Sequence, residues 1–183
     1  IGIGRAGNVI GGGDWAKDRI VVDCMQAWSK KHIVEIRSPN ATRPWQHVLE
    51  PLSGYLSLGQ ELYRKDELNG ESFNFGPKAE QNHTVEDLLI DLSQYWDFEN
   101  INDAYKVTGN IPFHEAGLLK LNCDKALFYL KWQSTLEYSE NIKFTSEWYY
   151  DFYRNKKNMF EKTKLQIAEY ENLAQKKQIR WTE

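Results

Sequence analysis

The chain has 183 residues, a net charge of −3, and 41% hydrophobic and 14% aromatic residues. That supports one domain with a proper core; it excludes a disordered polymer and a global basic field for nucleic acid. No apolar run approaches membrane-spanning length, and no basic start precedes an apolar stretch as in a signal peptide.

Residues 1–10 read as a buried strand broken by Gly11-Gly12-Gly13. The chain opens on Ile rather than Met and in mid-pattern, which reads as a stretch of a longer chain. Residues 18–31 carry a helical pattern, with Ile20, Val21, Cys24, Ala27 and Trp28 on one face. Residues 33–37 alternate like a strand and meet the turn residues Ser38-Pro39-Asn40, and 45–48 read as short and extended. Pro51 suits the first turn of a helix over 51–65, and residues 72–75 form another short strand ended by Gly76-Pro77. Thr84 caps the next helix, 84–97, with Asp87 three residues on as its box partner. A strand over 118–121 and helices over 124–131, 137–157 and 159–177 complete the pattern. Short strands alternating with helices make an α/β unit.

Cys24 and Cys123 stand alone, outside any metal-type spacing, and read as reduced thiols of a cytoplasmic protein. The scattered His32, His47, His83 and His114 form no metal cluster. Gly2, Gly4 and Gly7 match the dinucleotide pattern GxGxxG, but one residue precedes it and no helix opens after it, so it reads as coincidence. Tyr153 and Lys157 have the spacing of a Tyr-x-x-x-Lys catalytic pair, yet they sit in a late amphipathic helix and are rejected as one.

Three stretches carry more information: Arg5 to Trp15 with its glycine turn, Ile36 to Tyr55 with the run Ala-Thr-Arg-Pro-Trp-Gln-His-Val, and Phe73-Asn74-Phe75-Gly76-Pro77. In this order they resemble the second half of extended short-chain dehydrogenases/reductases acting on nucleotide sugars, the CDP-glucose 4,6-dehydratase branch in particular. His114-Glu115-Ala116 and the tail around Phe160 to Tyr170 resemble that branch too. Gly2 and Gly4 depart from it where apolar residues are expected, as do Gly117-Leu118, Asn122 and Asp124.

The resemblance implies an α/β, Rossmann-type fold. Residues 1–183 would be the substrate-binding portion with the last part of the NAD-binding sheet, and the NAD-binding region and catalytic pair would lie upstream of Ile1. The whole enzyme would oxidise C4 of CDP-glucose with bound NAD, expel water across C5 and C6, and return the hydride to C6. It would act in the cytoplasm as a homo-oligomer, with no nucleic-acid or membrane partner.

The physical reading of the same residues agrees. A pyrophosphate wants a planar bidentate guanidinium, which Arg43, stiffened by Pro44 and Trp45, supplies. Asn8 and Asn74, at strand ends, offer donor and acceptor together. Taken singly, Arg43 reads as a surface ion-pair residue and the two asparagines as turn formers; within the motif they read as binding residues. Arg19 reads either as a solvated first-turn charge or as a helper at base or phosphate, with Ile20 beside it counted among the substrate-binding positions. His114 and Glu115 read either as loop residues or as contacts to ribose or phosphate, and Arg37 is a further candidate. The expected site is therefore Asn8, Arg19, Ile20, Arg37, Arg43, Asn74, His114 and Glu115, with no catalytic residue and no metal ligand.

Overall fold

A computed structural model describes residues 1–108 and 119–182. Its strands pair in twos. β1 (Ile3–Ala6) runs parallel to β6 (Ser72–Phe75), and β2 (Asn8–Ile10) parallel to β5 (Trp45–His47). β3 (Val34–Ile36) runs parallel to β8 (Tyr105–Val107), whereas β4 (Thr42–Arg43) is antiparallel to β7 (His83–Thr84). Parallel pairs require crossovers, and the helices supply them. α1 (Ile20–Ser29) lies between β2 and β5, α2 (Leu49–Arg64) between β5 and β6, and α3 (Val85–Ser93) between β7 and β8. α4 (Asp124–Leu130), α5 (Tyr138–Tyr150) and α6 (Met159–Lys176) follow, with a widened π-type turn at Asp151–Asn155 after α5.

The sequence explains the boundaries. Thr84 Oγ1 accepts the Asp87 N–H at 3.0 Å while the Asp87 carboxylate accepts the Thr84 N–H at 2.9 Å, the reciprocal box that starts α3. Lys131 ends α4 in the left-handed region at φ 54°. One large apolar cluster joins Val21, Met25 and Trp28 of α1 to Leu88, Leu89 and Leu92 of α3 and to Trp148 and Tyr149 of α5. A second holds Leu58, Phe73, Phe75 and Trp132, and a third Leu136, Phe144 and Tyr170.

Two strand expectations are corrected. Residues 1–10 are not one buried strand but β1 and β2, and β1 is largely exposed, with Ile3 at 51%. The reason lies in the glycines. Gly2 and Gly4 carry no side chain to bury, and α2 fills their place: a Cβ on Gly4 would stand 2.6 Å from Tyr55 Cε1, and one on Gly2 2.8 Å from Leu62 Cδ1. Residues 119–121 form no strand, and Leu118 lies outside the described residues.

α2 is inverted. Glu50, Ser53, Gly54 and Ser57 are buried, while Leu52, Tyr55, Leu56 and Tyr63 are exposed, Leu56 at 77% and Tyr63 at 94%. The buried polar face is satisfied internally. Glu50 accepts N–H bonds from Thr135 and Leu136, at 3.0 and 2.6 Å, and Ser53 Oγ accepts from Trp132 Nε1 at 3.0 Å. These bonds fasten the 132–136 segment and α6 onto α2.

Candidate functional site

β1 ends at Ala6 and β2 begins at Asn8, so the chain passes from one parallel pair to another across Gly7. A glycine is needed there because Pro44 closes on it: a Cβ would sit 2.9 Å from Pro44 Cγ. Beside this crossing opens a cleft of about 850 Å³. That volume falls in the range that holds small-molecule ligands. Its lining includes Arg19 to Asp23 at the start of α1, Arg37 and Ser38 after β3, Arg43-Pro44 at the end of β4, and Asn8.

Five of the expected residues, Asn8, Arg19, Ile20, Arg37 and Arg43, therefore line one cleft although they are spread over three segments of sequence. Register explains the meeting of two of them. Asn8 is paired with Trp45, which stands two residues beyond Arg43. Arg43 is half-buried, and its Nη1 donates to the Thr42 carbonyl at 2.8 Å, which fixes the guanidinium close to the strand. Arg37 is exposed immediately after β3.

Arg19 precedes α1 in an extended conformation and makes no side-chain cap. Its Nε instead lies 3.6 Å from Asp14 Oδ2. Asp14 is held in turn: its Oδ1 accepts the Ala16 N–H at 2.9 Å, and its carbonyl accepts the Tyr149 hydroxyl at 2.8 Å. Burial pushes the Tyr149 phenol up, so it stays a donor. α5 thus reaches through Tyr149 and Asp14 to Arg19.

Asn74 is not in the cleft wall. It sits opposite Arg5 in the β1–β6 register, and its Nδ2 donates to the Asn122 carbonyl at 3.0 Å. The physical reason is local: the 119–122 segment runs over the end of β6 and occupies the amide, while Leu119 and Leu121 of that segment do line the cleft. His114 and Glu115 lie outside the described residues.

The sequence did not single out Asp14, Asp18, Asp23, Glu35 or Tyr149, all of which line the cleft. The spacing Arg19–Asp23, four residues on one helix, was the available signal. Burial, then the charge of Asp18, raises the Asp23 carboxyl above its ordinary range. Glu35 is paired with Lys106 at 2.9 Å, which lowers its own. Val85, the first residue of α3, also lines the cleft.

A dinucleotide cofactor does not fit Gly2, Gly4 and Gly7. Gly2 precedes β1, Gly4 lies within it and Gly7 links it to β2, with no helix N-terminus following, so they form no cradle for a pyrophosphate. Tyr153 packs against Trp15, Trp96 and Phe152, and Lys157 pairs with Asp151 at 2.7 Å, so this couple builds the fold. Among the described residues no group of His, Cys, Asp or Glu is arranged to hold a metal ion, and no helix is long and apolar enough to cross a membrane.

No protein-family model matches the chain. It is 40% identical over 166 residues, 91% of its length, to the CDP-glucose 4,6-dehydratase of Salmonella typhimurium, and it spans 45% of that relative's length. Among solved structures, the UDP-glucuronic acid 4-epimerase of Bacillus cereus, in complex with UDP-glucuronic acid and NAD, superposes with a TM-score of 0.67 at 16% identity. That match covers 82% of this chain and 45% of the epimerase. The dTDP-glucose 4,6-dehydratase of Bacillus anthracis, in complex with NAD, superposes at 0.64 and 12% identity, covering 82% of this chain and 44% of that one. These likenesses establish the fold as that of the extended short-chain dehydrogenases/reductases.

Proposed function

The chain is a relative of CDP-glucose 4,6-dehydratase within the nucleotide-sugar dehydratase and epimerase family, and from that premise we propose that it supplies the nucleotide-sugar-binding part of an enzyme converting CDP-glucose to CDP-4-keto-6-deoxyglucose. The observation that supports this most is the convergence of Asn8, Arg37 and Arg43 on one cleft beside the crossing from β1 to β2. In open α/β sheets ligands gather where neighbouring strands diverge in this way.

In this reading Arg43 and Arg37 bind the pyrophosphate, and Asn8 supplies a donor and an acceptor to phosphate or sugar oxygens. Arg19 and Ile20 border the nucleotide end. Asn74 acts one step back, holding the 119–122 segment over the cleft through its amide. His114 and Glu115 remain proposed contacts to ribose or phosphate. These residues contribute binding energy and orientation, which lower the barrier when they grip the reacting geometry more tightly than the ground state. In this reading none of them is assigned proton transfer or hydride transfer. NAD, the cofactor of the proposed enzyme, would be held chiefly by residues outside this stretch. The working enzyme is proposed as a cytoplasmic homo-oligomer.

Titration of CDP-glucose into the 183-residue chain tests the reading. We expect saturable binding, displaced by CDP, and no 4-keto product. Absence of binding by calorimetry would sink the site assignment, and conversion to a 4-keto sugar would sink the division of labour. The fold likeness to UDP-sugar epimerases favours a second reading, in which UDP displaces the bound sugar nucleotide better than CDP does.

A further inference from the structure

The cleft lining combines two chemistries. Arg37 and Arg43 contribute cations after β3 and at the end of β4. The start of α1 contributes the half-buried Ile20, with Asp23 three residues on. A nucleoside diphosphate has the same division: charged phosphates at one end, and at the other a flat apolar ring with a polar edge.

Four carboxylates line this space, and they are not equivalent. Asp14 is engaged by Arg19 and by the Ala16 N–H. Glu35 is engaged by Lys106. Asp18 precedes α1 in the left-handed region at φ 62°, on the exposed rim. Asp23 is different. Its N–H donates to the Arg19 carbonyl at 2.9 Å, so it stands one turn on from Arg19, on the face of α1 that borders the cleft. Arg19 at that spacing would be its natural ion-pair partner, but the guanidinium is turned toward Asp14 instead. Its side chain is solvent-exposed and so open to a ligand entering the cleft.

We propose that Asp23 reads the base of the nucleotide, its carboxylate accepting a hydrogen from the exocyclic amino group of cytosine. This rests on the nucleotide-sugar reading above and gives it a specificity-determining residue. The chemistry discriminates because the two pyrimidine classes differ at that edge. Cytosine presents an N–H donor at position 4, where uracil and thymine present a carbonyl acceptor. A carboxylate can pair only with the donor. Against uracil it meets a second acceptor, and the two oxygens repel. Ile20, half-buried at the start of α1, supplies apolar surface for the ring.

The test compares CDP and UDP as free nucleotides in equilibrium titrations of the full chain and of Asp23→Ala and Asp23→Asn. The unmodified chain is expected to bind CDP at least about tenfold more tightly than UDP. Asp23→Ala is expected to bring the two affinities together, mainly by weakening CDP. Asp23→Asn is expected to move the ratio toward UDP, because its amide can turn a donor to the carbonyl. Retained UDP binding by each variant reports that it is folded and that the phosphate end is intact. If the unmodified chain binds the two nucleotides equally, or Asp23→Ala keeps the full preference, the base-reading role is overturned while nucleotide binding stands. If neither nucleotide binds the unmodified chain, both readings fall.

Discussion

The Tyr170 hydroxyl donates to the buried Glu50 carboxylate across 3.1 Å, joining α6 to α2 over 120 residues of sequence. Glu50 is 2% exposed, and its titration is therefore coupled to folding. Burial outweighs its hydrogen bonds and pushes its carboxyl up to about 7 from the ordinary 4.5. The stability tied to the neutral carboxyl is complete below 4.5 and is lost as pH rises through 7. Buried His47 does the reverse: desolvation lowers its imidazole from 6.5 to about 4, so its contribution is complete above 6.5 and lost as pH falls through 4. Between 4.5 and 6.5 the two slopes oppose each other.

Glu50→Gln should expose the His47 slope, so that relative to the parent chain the stability of the variant rises with pH from 4 to 6.5. His47→Gln should expose the Glu50 slope, a fall from 4.5 to 7. Each slope is at most about 1.4 kcal/mol per pH unit. Urea midpoints measured across this range check both, and parallel pH profiles for parent and variants would contradict them. Tyr170→Phe removes one donor to the carboxylate and should cost about 1–3 kcal/mol at neutral pH.

Gly12 is a packing requirement. A Cβ there would lie 2.0 Å from the Trp148 ring, whose other contacts fix it: Phe152 stacks against it at 5.8 Å, and its Nε1 donates to Thr163 Oγ1 at 3.0 Å. Gly12→Ala should therefore displace α5 and cost about 1–3 kcal/mol, as overpacking does. Tyr149 follows Trp148 and holds Asp14, so nucleotide affinity should fall in the same variant. Chemical denaturation and a CDP titration read the two effects separately; an unchanged urea midpoint would rule out the packing account.

Local signals in the sequence were reliable where one short segment determined the outcome. The Thr84–Asp87 box is there, β6 spans residues 72–75 as expected, and no helix follows the glycine pattern at 2, 4 and 7. The β2–β5 register pairs Asn8 with Trp45, two residues beyond Arg43. What the sequence concealed depended on distant partners. Glu50 reads as an ordinary first-turn acid on an exposed helix start, and only Thr135, Leu136 and Tyr170, 85 to 120 residues away, make it a core residue. β8 has three residues and no alternation strong enough to mark it, and its pairing with β3 closes over 71 positions, from Val34 to Tyr105. Asn74 looked like a ligand contact because its amide reads the same whether it faces a phosphate or a backbone carbonyl.

Arg43 gives the sharpest test of the proposed phosphate contact in the cleft. Its guanidinium is half-buried, kept near the strand by the bond from Nη1 to the Thr42 carbonyl, and set beside Asn8 by the β2–β5 register. A charge-assisted hydrogen bond contributes roughly 1.5–3 kcal/mol, so Arg43→Ala should weaken CDP about tenfold to a hundredfold. The loss should shrink for cytidine, which lacks the pyrophosphate. Arg43→Lys keeps the charge but not the planar fork, and should recover only part of the affinity. Because the interaction is electrostatic, raising the salt concentration should weaken CDP binding to the parent chain more than to Arg43→Ala. The preference for CDP over UDP should survive in both variants, since Asp23 belongs to α1 and neither substitution touches it. Titrations with CDP, UDP and cytidine at two salt concentrations measure all of this, and wild-type CDP affinity in both variants would remove Arg43 from the site.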